Sequence, residues 1–141
     1  MDGIKPYLNF NGNCEEVFNF YGSIFGSGSL SISRFKEVPS EHKFPEHEGD
    51  KILHVSLQLS GGSFLMGSDI PEAFPKAIIG TNFYISLDVD SEKEAARIFN
   101  GLAADGQVTM PLAKTFWGAF FGMLIDKFSV QWMISYDYSK N

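Results

Sequence analysis

The 141-residue sequence predicts an α+β protein built from two tandem βαβββ modules. Three observations indicate this fold. Several stretches alternate apolar and polar residues, as half-buried strands do. Two further stretches place apolar residues at helical spacing. The order of these elements then repeats, with Tyr7 opposite Tyr84 and segment 14–25 opposite 92–103, at an offset of about 77 residues.

The first module spans residues 4–69. Its first strand alternates over 4–11, and Asn13 followed by Glu16 is typical of a helix N-cap with its N3 carboxylate. An apolar helical stripe follows over 14–25, and the glycines at 26 and 28 are expected to end the helix. The remaining strands are predicted around 30–35, 51–60 and 63–67, with a hairpin turn at Gly61-Gly62.

A connector, 70–80, leads to the second module, 81–137. Its first strand alternates over 82–90, and Ser91 with Glu94 forms a capping-box signature before the second helix. Val108 begins another strand. Each module alone exposes one face of its sheet, so the two are expected to pack together as a single domain, 1–141.

The last quarter of the chain, 110–137, is rich in aromatic residues. Aromatic and β-branched residues broken by glycine and by Asp126-Lys127 predict two antiparallel strands joined by a short turn. We place Phe116 and Trp117 on the first of these strands, pointing to opposite faces. Gly118 and Gly122 are interpreted as space beside these large rings.

Composition narrows the function classes. A net charge of −6 and a pI near 4.9 argue against nucleic acid as a partner, because phosphates attract clustered Lys and Arg. No run of 18 apolar residues predicts a membrane span, and the N-terminus lacks the apolar region of a signal peptide. The single cysteine allows no disulfide within the chain, so a cytoplasmic protein is expected.

Three segments carry a family resemblance. They are NGNCEEVFNFY, DKILHVSLQLSGGSFLMGSD and the final pattern PL…FWG…FG…D-F-V-W. With the repeated βαβββ order, they resemble the vicinal-oxygen-chelate superfamily, which includes glyoxalases, bleomycin-resistance proteins and extradiol dioxygenases. Within it, the sequence is most similar to the PhnB-like branch, sometimes labelled demethylubiquinone-methyltransferase-like. The resemblance extends from Ile4 to Tyr136.

The resemblance implies curved mixed sheets around a cup, the glyoxalase/bleomycin-resistance fold, and a homodimer. The function that follows is binding of a small planar or aromatic molecule, as in resistance-type members that sequester compounds. Two alternatives remain open. One is a metal-dependent lyase or dioxygenase of the same superfamily, and the other is a structural dimer whose cup is filled by its own side chains.

Metal-dependent members place a ligand on each of four strands. Carried over by the resemblance, these positions fall on Tyr7 (or Pro6), His54, Tyr84 and Met133 (or Gln131). Only His54 is a good ligand, whereas zinc, nickel or iron sites need three or four His, Cys or carboxylate groups. We therefore expect no metal and no other cofactor, with a divalent metal as the alternative.

The expected ligand-binding residues lie on polar strand faces and in the aromatic stretch. They are Tyr7, Asn9, His54, Tyr84, Trp117, Gln131 and Met133. No catalytic residue is assigned except His54 as a candidate general base, because imidazole exchanges protons near neutral pH; a histidine satisfied by structural hydrogen bonds is the alternative. Tyr7, Tyr84 and Trp117 could equally be packing residues.

Two other groups could carry chemistry. Loop 38–50 holds His42, His47 and several acidic residues, which suggests either a metal-binding loop or a solvated acidic loop. Cys14 lies on the apolar stripe of the first helix, where a buried, inert thiol is expected. The glycine pairs do not form the strand–GxGxxG–helix unit that a dinucleotide or a methyl donor would need.

Overall fold

A computed structural model describes residues 1–26, 30–39 and 44–140. The strands and helices in these ranges follow the predicted order. They are β1 (Tyr7–Phe10), α1 (Cys14–Phe25), β2 (Leu30–Arg34), β3 (Ile52–Gln58), β4 (Phe64–Asp69), β5 (Ile85–Asp88), α2 (Glu92–Ala103), β6 (Gln107–Lys114), β7 (Ala119–Ile125) and β8 (Gln131–Asp137). The βαβββ order occurs twice, which confirms the predicted fold class.

The chain divides into two compact units, Met1–Ile78 and Ile79–Asn141. Each unit has its own four-stranded mixed sheet, with strand orders β1-β4-β3-β2 and β5-β8-β7-β6. In both sheets the first strand of the module runs parallel to the last one, and the other neighbours are antiparallel. The single-domain organisation stays a prediction.

In the first unit, one face of the sheet packs against α1. The helical stripe predicted from the sequence supplies Val17, Phe18 and Tyr21, all fully buried. The buried strand residues that complete this core are Leu8, Phe10, Ile52, Val55, Leu57 and Leu65. Because strand side chains alternate, the residues between them point to the opposite face of the sheet.

The predicted alternation of β3 is wrong at its start. Alternation over 51–60 places Leu53 with the core residues, yet Ile52 is buried and Leu53 is exposed. The pairing of β2 with β3 shifts by one residue between Ser33 and Arg34, a β-bulge that resets which side chains face the core. From His54 onward the prediction holds, and His54 faces away from α1.

The start of α1 also differs from the prediction. Asn13 makes no side-chain cap. Instead Asp69, from the end of β4, accepts hydrogen bonds from the backbone N–H groups of Gly12 and Cys14 at 2.9 and 3.0 Å. Asp69 also accepts one from Ile52 at 2.9 Å, so one buried carboxylate ties the helix start to two strands. At the other end Gly26 has φ 101°, as expected for a helix-ending glycine, whereas Gly28 lies outside the described residues.

In the second unit, α2 covers one face of the sheet. Ser91 caps it by accepting a hydrogen bond from the Glu94 N–H at 3.0 Å, as predicted. The predicted stripe of Ala95, Ile98, Phe99 and Leu102 is buried. No helix in the described ranges has both the length and the hydrophobicity needed to cross a membrane.

Trp132 forms the centre of the second core. Its ring is fully buried, and its indole N–H donates to Asp126 at 2.9 Å. Asp126 is itself buried and accepts from the backbone N–H groups of Phe128 and Val130 at 2.8 and 3.1 Å, closing the predicted turn between β7 and β8. The predicted hairpin is therefore present at β7–β8.

The segment before this hairpin departs from the prediction. Pro111 lies within β6, an edge strand whose pairing is irregular on both sides of Met110. A proline is tolerated there because an edge strand has one unpaired side. Phe116 and Trp117 lie in the turn between β6 and β7, so they are not alternating strand residues. Gly118, with φ 88°, allows this turn.

Candidate functional site

The face of the first sheet turned away from α1 is the strongest candidate site in the first unit. Residues paired across neighbouring strands share a face, which identifies its members from the register. This surface, the polar face, consists of Tyr7, Asn9, Ser31, Ser33, His54, Ser56, Gln58, Phe64, Met66 and Ser68. All ten side chains are half-buried or exposed within the structure. Most can form hydrogen bonds with a ligand.

Tyr7 and His54 meet on this face. They come from β1 and β3, which are separated by β4, so their side chains reach across that strand. The Tyr7 hydroxyl lies 3.3 Å from Nδ1 of His54, and the two rings are 5.7 Å apart and inclined by 33°. Among the described residues none hydrogen-bonds Nε2 of His54. The pair thus offers two planar rings and free hydrogen-bonding capacity.

Asn9 lies on the same face, one pleat beyond Tyr7. Its side-chain oxygen accepts a hydrogen bond from the Ser68 hydroxyl at 3.3 Å, and the two residues are directly paired. The Asn9 amide nitrogen and the Ser56 hydroxyl add further donors on this surface. Three predicted site residues, Tyr7, Asn9 and His54, are therefore brought together in the first unit.

The corresponding face of the second sheet is chemically different. Its pairing places Met110 opposite Met123, and Met123 opposite Met133, so three thioethers form a row across β6, β7 and β8. This surface, the methionine face, includes Ser86, Asp88, Met110, Ala113, Phe121, Met123, Ile125, Gln131, Met133 and Ser135. The predicted site residue Met133 lies at its centre.

Of the other predicted residues of the second unit, Gln131 belongs to the methionine face, whereas Tyr84 and Trp117 lie outside the strands. Tyr84 precedes β5 and is half-buried. Gln131 is buried, and its side-chain N–H donates to the Phe83 carbonyl at 2.6 Å. This bond fixes the Gln131 amide against the chain that enters β5. Trp117 is 57% exposed in its turn and packs edge-on to Phe121, with ring centres 5.7 Å apart.

The two glycines interpreted as space beside large aromatic rings have distinct roles. Gly118 serves the turn through its positive φ. Gly122 faces the core, where a Cβ would lie 2.7 Å from the Phe99 ring and 3.0 Å from the Leu112 backbone. The room left at Gly122 is therefore taken by the aromatic ring of Phe99, on the helix side of the sheet.

The acidic loop contains a contact cluster that the sequence did not reveal. Glu48 is 2% exposed and accepts hydrogen bonds from Lys51 Nζ and from the Glu72 N–H, each at 2.9 Å. His47 Nε2 lies 2.8 Å from a carboxylate oxygen of Glu72. Both contacts to Glu72 attach this loop to the segment after β4.

One ligand atom each from His47, Glu48 and Glu72 lie within 4.8 Å of one another, a spacing that could hold a cation. Lys51 already neutralises Glu48, and its ammonium group would repel a metal ion there. The cluster is accounted for by the Lys51–Glu48 ion pair and the hydrogen bond between His47 and Glu72. His42, the other histidine of the predicted metal-binding loop, lies outside the described residues.

Cys14 is the remaining reactive side chain. It is fully buried in α1, and burial raises the pKa of its thiol far above the ordinary value, with Asp69 and Glu15 adding to the effect. A thiol that stays protonated is a poor nucleophile. The expectation of an inert thiol agrees with these surroundings.

Comparison with known proteins adds the family. The family model described as 3-demethylubiquinone-9 3-methyltransferase matches residues 2–135. The chain belongs to this family. The YjdN protein of Escherichia coli strain K12 is 32% identical over 143 residues, covering 94% of this chain and 93% of YjdN.

Solved structures agree with this membership in the 3-demethylubiquinone-9 3-methyltransferase family. Protein PA1353 from Pseudomonas aeruginosa matches with a TM-score of 0.81 and 45% identity over 97% of this chain and 98% of that one. A PhnB protein from Bacillus cereus matches with a TM-score of 0.71 and 30% identity, over 96% and 99% of the two chains. The predicted PhnB-like resemblance is confirmed.

More distant structures show the fold of the family. A glyoxalase/bleomycin resistance protein/dioxygenase family enzyme from Burkholderia phytofirmans has a TM-score of 0.59 at 16% identity, over 92% of this chain and 95% of that one. The glyoxalase-like fold expected from the sequence is therefore confirmed. The name of the 3-demethylubiquinone-9 3-methyltransferase family describes its matching model and does not by itself give this chain an activity.

Proposed function

We propose that this chain binds a small planar or aromatic molecule on the polar face, without the metal ion of its superfamily. The observation that carries the proposal is the Tyr7–His54 pair on the sheet face away from α1, where the Tyr7 hydroxyl lies 3.3 Å from Nδ1 of His54. Aromatic rings stack on planar ligands, and their polar atoms fix a ligand's orientation.

The exposure of the polar face supports a binding role over a packing role. Tyr7 is 45% exposed, and its hydroxyl has a single partner in a neighbouring side chain. A residue that serves only the core would bury its ring, as Tyr21 does on the other side of the same sheet. Binding residues commonly lie on such exposed positions of a rigid scaffold.

The donor set argues against the superfamily metal. The positions implied by the resemblance hold one imidazole, two phenols and a thioether, and Nδ1 of His54 already contacts the Tyr7 hydroxyl. The alternative Gln131 is hydrogen-bonded to the Phe83 carbonyl. This set does not fit zinc, nickel or iron, which prefer several His, Cys or carboxylate ligands.

The fold also favours sequestration over methyl transfer. Gly61 and Gly62 form the turn between β3 and β4, and Gly26 follows α1, so none of these three glycines lies in a loop that leads from a strand into a helix. A methyl-donor site of that type has no place at these glycines. Binding proteins of the glyoxalase/bleomycin-resistance type share the fold seen here.

A thermal-shift screen tests the proposal. Protein purified without chelators is screened with divalent metals and with planar aromatic compounds. A compound at 100 times its dissociation constant should stabilise the wild type by about 2.7 kcal/mol. Tyr7→Phe and His54→Gln should reduce that shift, whereas Tyr138→Phe, which removes a phenol hydroxyl in the second unit, should not.

Two outcomes would replace the proposal by its alternatives. A stoichiometric transition metal in the purified protein, lost in His54→Gln, would indicate the metal-dependent lyase or dioxygenase. A screen with no hit, together with a dimer in light scattering, would favour a structural dimer whose cup is filled. The homodimer and the cytoplasmic location stay predictions, and light scattering tests the first directly.

A further inference from the structure

The polar face differs from the rest of the molecule in its charge. The chain carries 11 Lys and Arg and 17 Asp and Glu residues. None of these charged residues is among the ten members of the polar face, which offers hydroxyl, amide, imidazole and phenol groups beside Phe64 and Met66. The hydrogen-bonding surface is therefore built from side chains that are not carboxylates, ammonium groups or guanidinium groups.

Charged residues next to this face in the sequence are engaged elsewhere. Arg34 follows Ser33, but its guanidinium group forms two hydrogen bonds with Glu15 of α1, at 2.7 and 3.0 Å. Asp69 follows Ser68, but its carboxylate is buried on the α1 side and accepts three backbone N–H groups. Their charges are thereby directed away from the polar face.

Lys5 is a cation at the margin of the face. It precedes β1, and its ammonium group lies 5.3 Å from the centre of the Phe64 ring. Lys5 is two residues before Tyr7 and could be reached by an anionic group at that end of the face. Lys5 allows a test within the protein itself, because any binding of anions at this face would depend on its positive charge.

We infer that the polar face selects an electrically neutral, planar ligand that carries hydroxyl, carbonyl or amide groups. This inference rests on the proposed function and names its ligand class. A charged ligand would lose hydration on the face, where none of the ten members carries an opposite charge, and that loss is costly. Lys5 could offset part of this cost for an anion at one end of the face only. A neutral ligand loses less and can pair its donors and acceptors with Asn9, Ser56 and the Tyr7–His54 pair.

Three probes of nearly equal shape distinguish the effect of ligand charge on binding from the effect of ligand size. Benzamide is neutral, benzoate is an anion and benzamidinium is a cation, and all three are planar. Each is titrated at neutral pH into isotope-labelled protein while backbone amide signals are followed by NMR. We expect benzamide to shift the signals of Tyr7, His54 and Ser56, and both ions to bind at least tenfold more weakly.

Variants assign the binding to this face. Tyr7→Phe combined with His54→Gln should weaken benzamide binding by about tenfold or more, since it removes two polar groups from the face. Lys5→Met should leave benzamide binding unchanged and should remove residual benzoate binding. Tyr138→Phe in the second unit serves as the control and should change none of the three titrations.

The outcomes separate the two proposals. If benzoate or benzamidinium binds as tightly as benzamide and depends on Tyr7 and His54, the inference of a neutral ligand is overturned while the proposed function stands. If none of the three probes shifts signals on the polar face, the proposed function fails and this inference fails with it. Benzamide binding that depends on both residues, with weak ions, supports both.

Discussion

The sheet of the first unit presents serines, Asn9 and the Tyr7–His54 pair on the face away from its helix. The sheet of the second presents a row of methionines with Phe121, two serines and Asp88. The sides of both sheets that face the helices are alike, being apolar and buried. The two units are thus similar in their topology and in their helix-facing cores. The opposite faces are where the two modules have become chemically distinct.

The two units also use the same device inside their cores. Asp69 in the first unit and Asp126 in the second are buried carboxylates, and each accepts three hydrogen bonds from N–H groups. Asp69 ties a helix start to strands, and Asp126 ties a turn to Trp132. Paired substitutions in the two units therefore test whether these similar contacts contribute similar amounts to the free energy of unfolding.

The largest effect is expected from Asp69→Asn and Asp126→Asn. Each replaces one acceptor oxygen by an NH₂ group that faces a donor, which should cost on the order of 3 kcal/mol of unfolding free energy. Urea unfolding is followed by circular dichroism and by tryptophan fluorescence. Both tryptophans, Trp117 and Trp132, are in the second unit, so fluorescence reports on that unit alone.

This experiment also tests the predicted single domain. If the chain unfolds as one domain, Asp69→Asn should lower the fluorescence midpoint although no tryptophan is in its unit. An unchanged fluorescence midpoint with a lowered dichroism midpoint would contradict the single-domain prediction and show independent units.

A smaller loss is expected from Gly67→Ala and Gly122→Ala. A Cβ at Gly67 would lie 2.7 Å from the Leu8 carbonyl oxygen and 2.8 Å from the Phe18 ring, and Gly122 is equally tight against Phe99. Overpacking of this kind should cost about 2 kcal/mol in each unit, measured by urea unfolding. Ser56→Ala, an alanine on the polar face, is the control and should change little.

A third pair concerns the turns. Gly61 has φ 74° and Gly118 has φ 88°, and a Cβ added to either glycine would meet no described atom within 4 Å. Alanine at either site should cost about 1 kcal/mol through backbone strain alone. Asparagine tolerates this region better, so Gly→Asn should recover part of the loss in thermal unfolding. Equal losses for alanine and asparagine would contradict the strain argument.

The smallest effect has no counterpart in the second unit, where the described residues include no buried glutamate. The hydrogen bond from the Glu72 N–H and the Lys51 ammonium group hold the pKa of Glu48 below its ordinary value of 4.5. A lowered folded-state pKa stabilises the fold above about pH 4.5 and loses that contribution as the pH falls through the folded-state value. Glu48→Gln should thus lower the melting temperature at pH 7 more than at pH 3.5, as scanning calorimetry would show.

Local patterns are enough to predict the order of elements and the buried stripes of both helices. They fail where a distant residue decides the local structure. Asp69 takes over the cap expected from Asn13, and the bulge opposite Arg34 changes the facing of Leu53. Neither effect has a signal within its own segment, because both depend on strands that pair only in the folded chain.

For the same reason, only part of the candidate site can be predicted from the sequence. The alternation of β1 and β3 places Tyr7, Asn9 and His54 on polar strand faces, but it does not reveal the contact between Tyr7 and His54, which depends on β4 lying between them. The alternation of Phe, Trp and Gly predicts a strand at Trp117, where the structure has a turn. Periodicity alone could not separate the turn at Gly118 from a strand.

Pro111 affects how copies of this protein can associate with one another. Within its sheet β6 is an edge strand, with Val108 and Met110 exposed. Edges of this kind can recruit further strands and seed fibrils. Pro111 supplies no N–H, and the irregular pairing on both sides of Met110 breaks the straight ladder that an added strand would need. Pro111 and the irregular pairing thereby hinder a further strand from adding to this apolar edge through backbone hydrogen bonds. Association at this edge then depends on side-chain contacts.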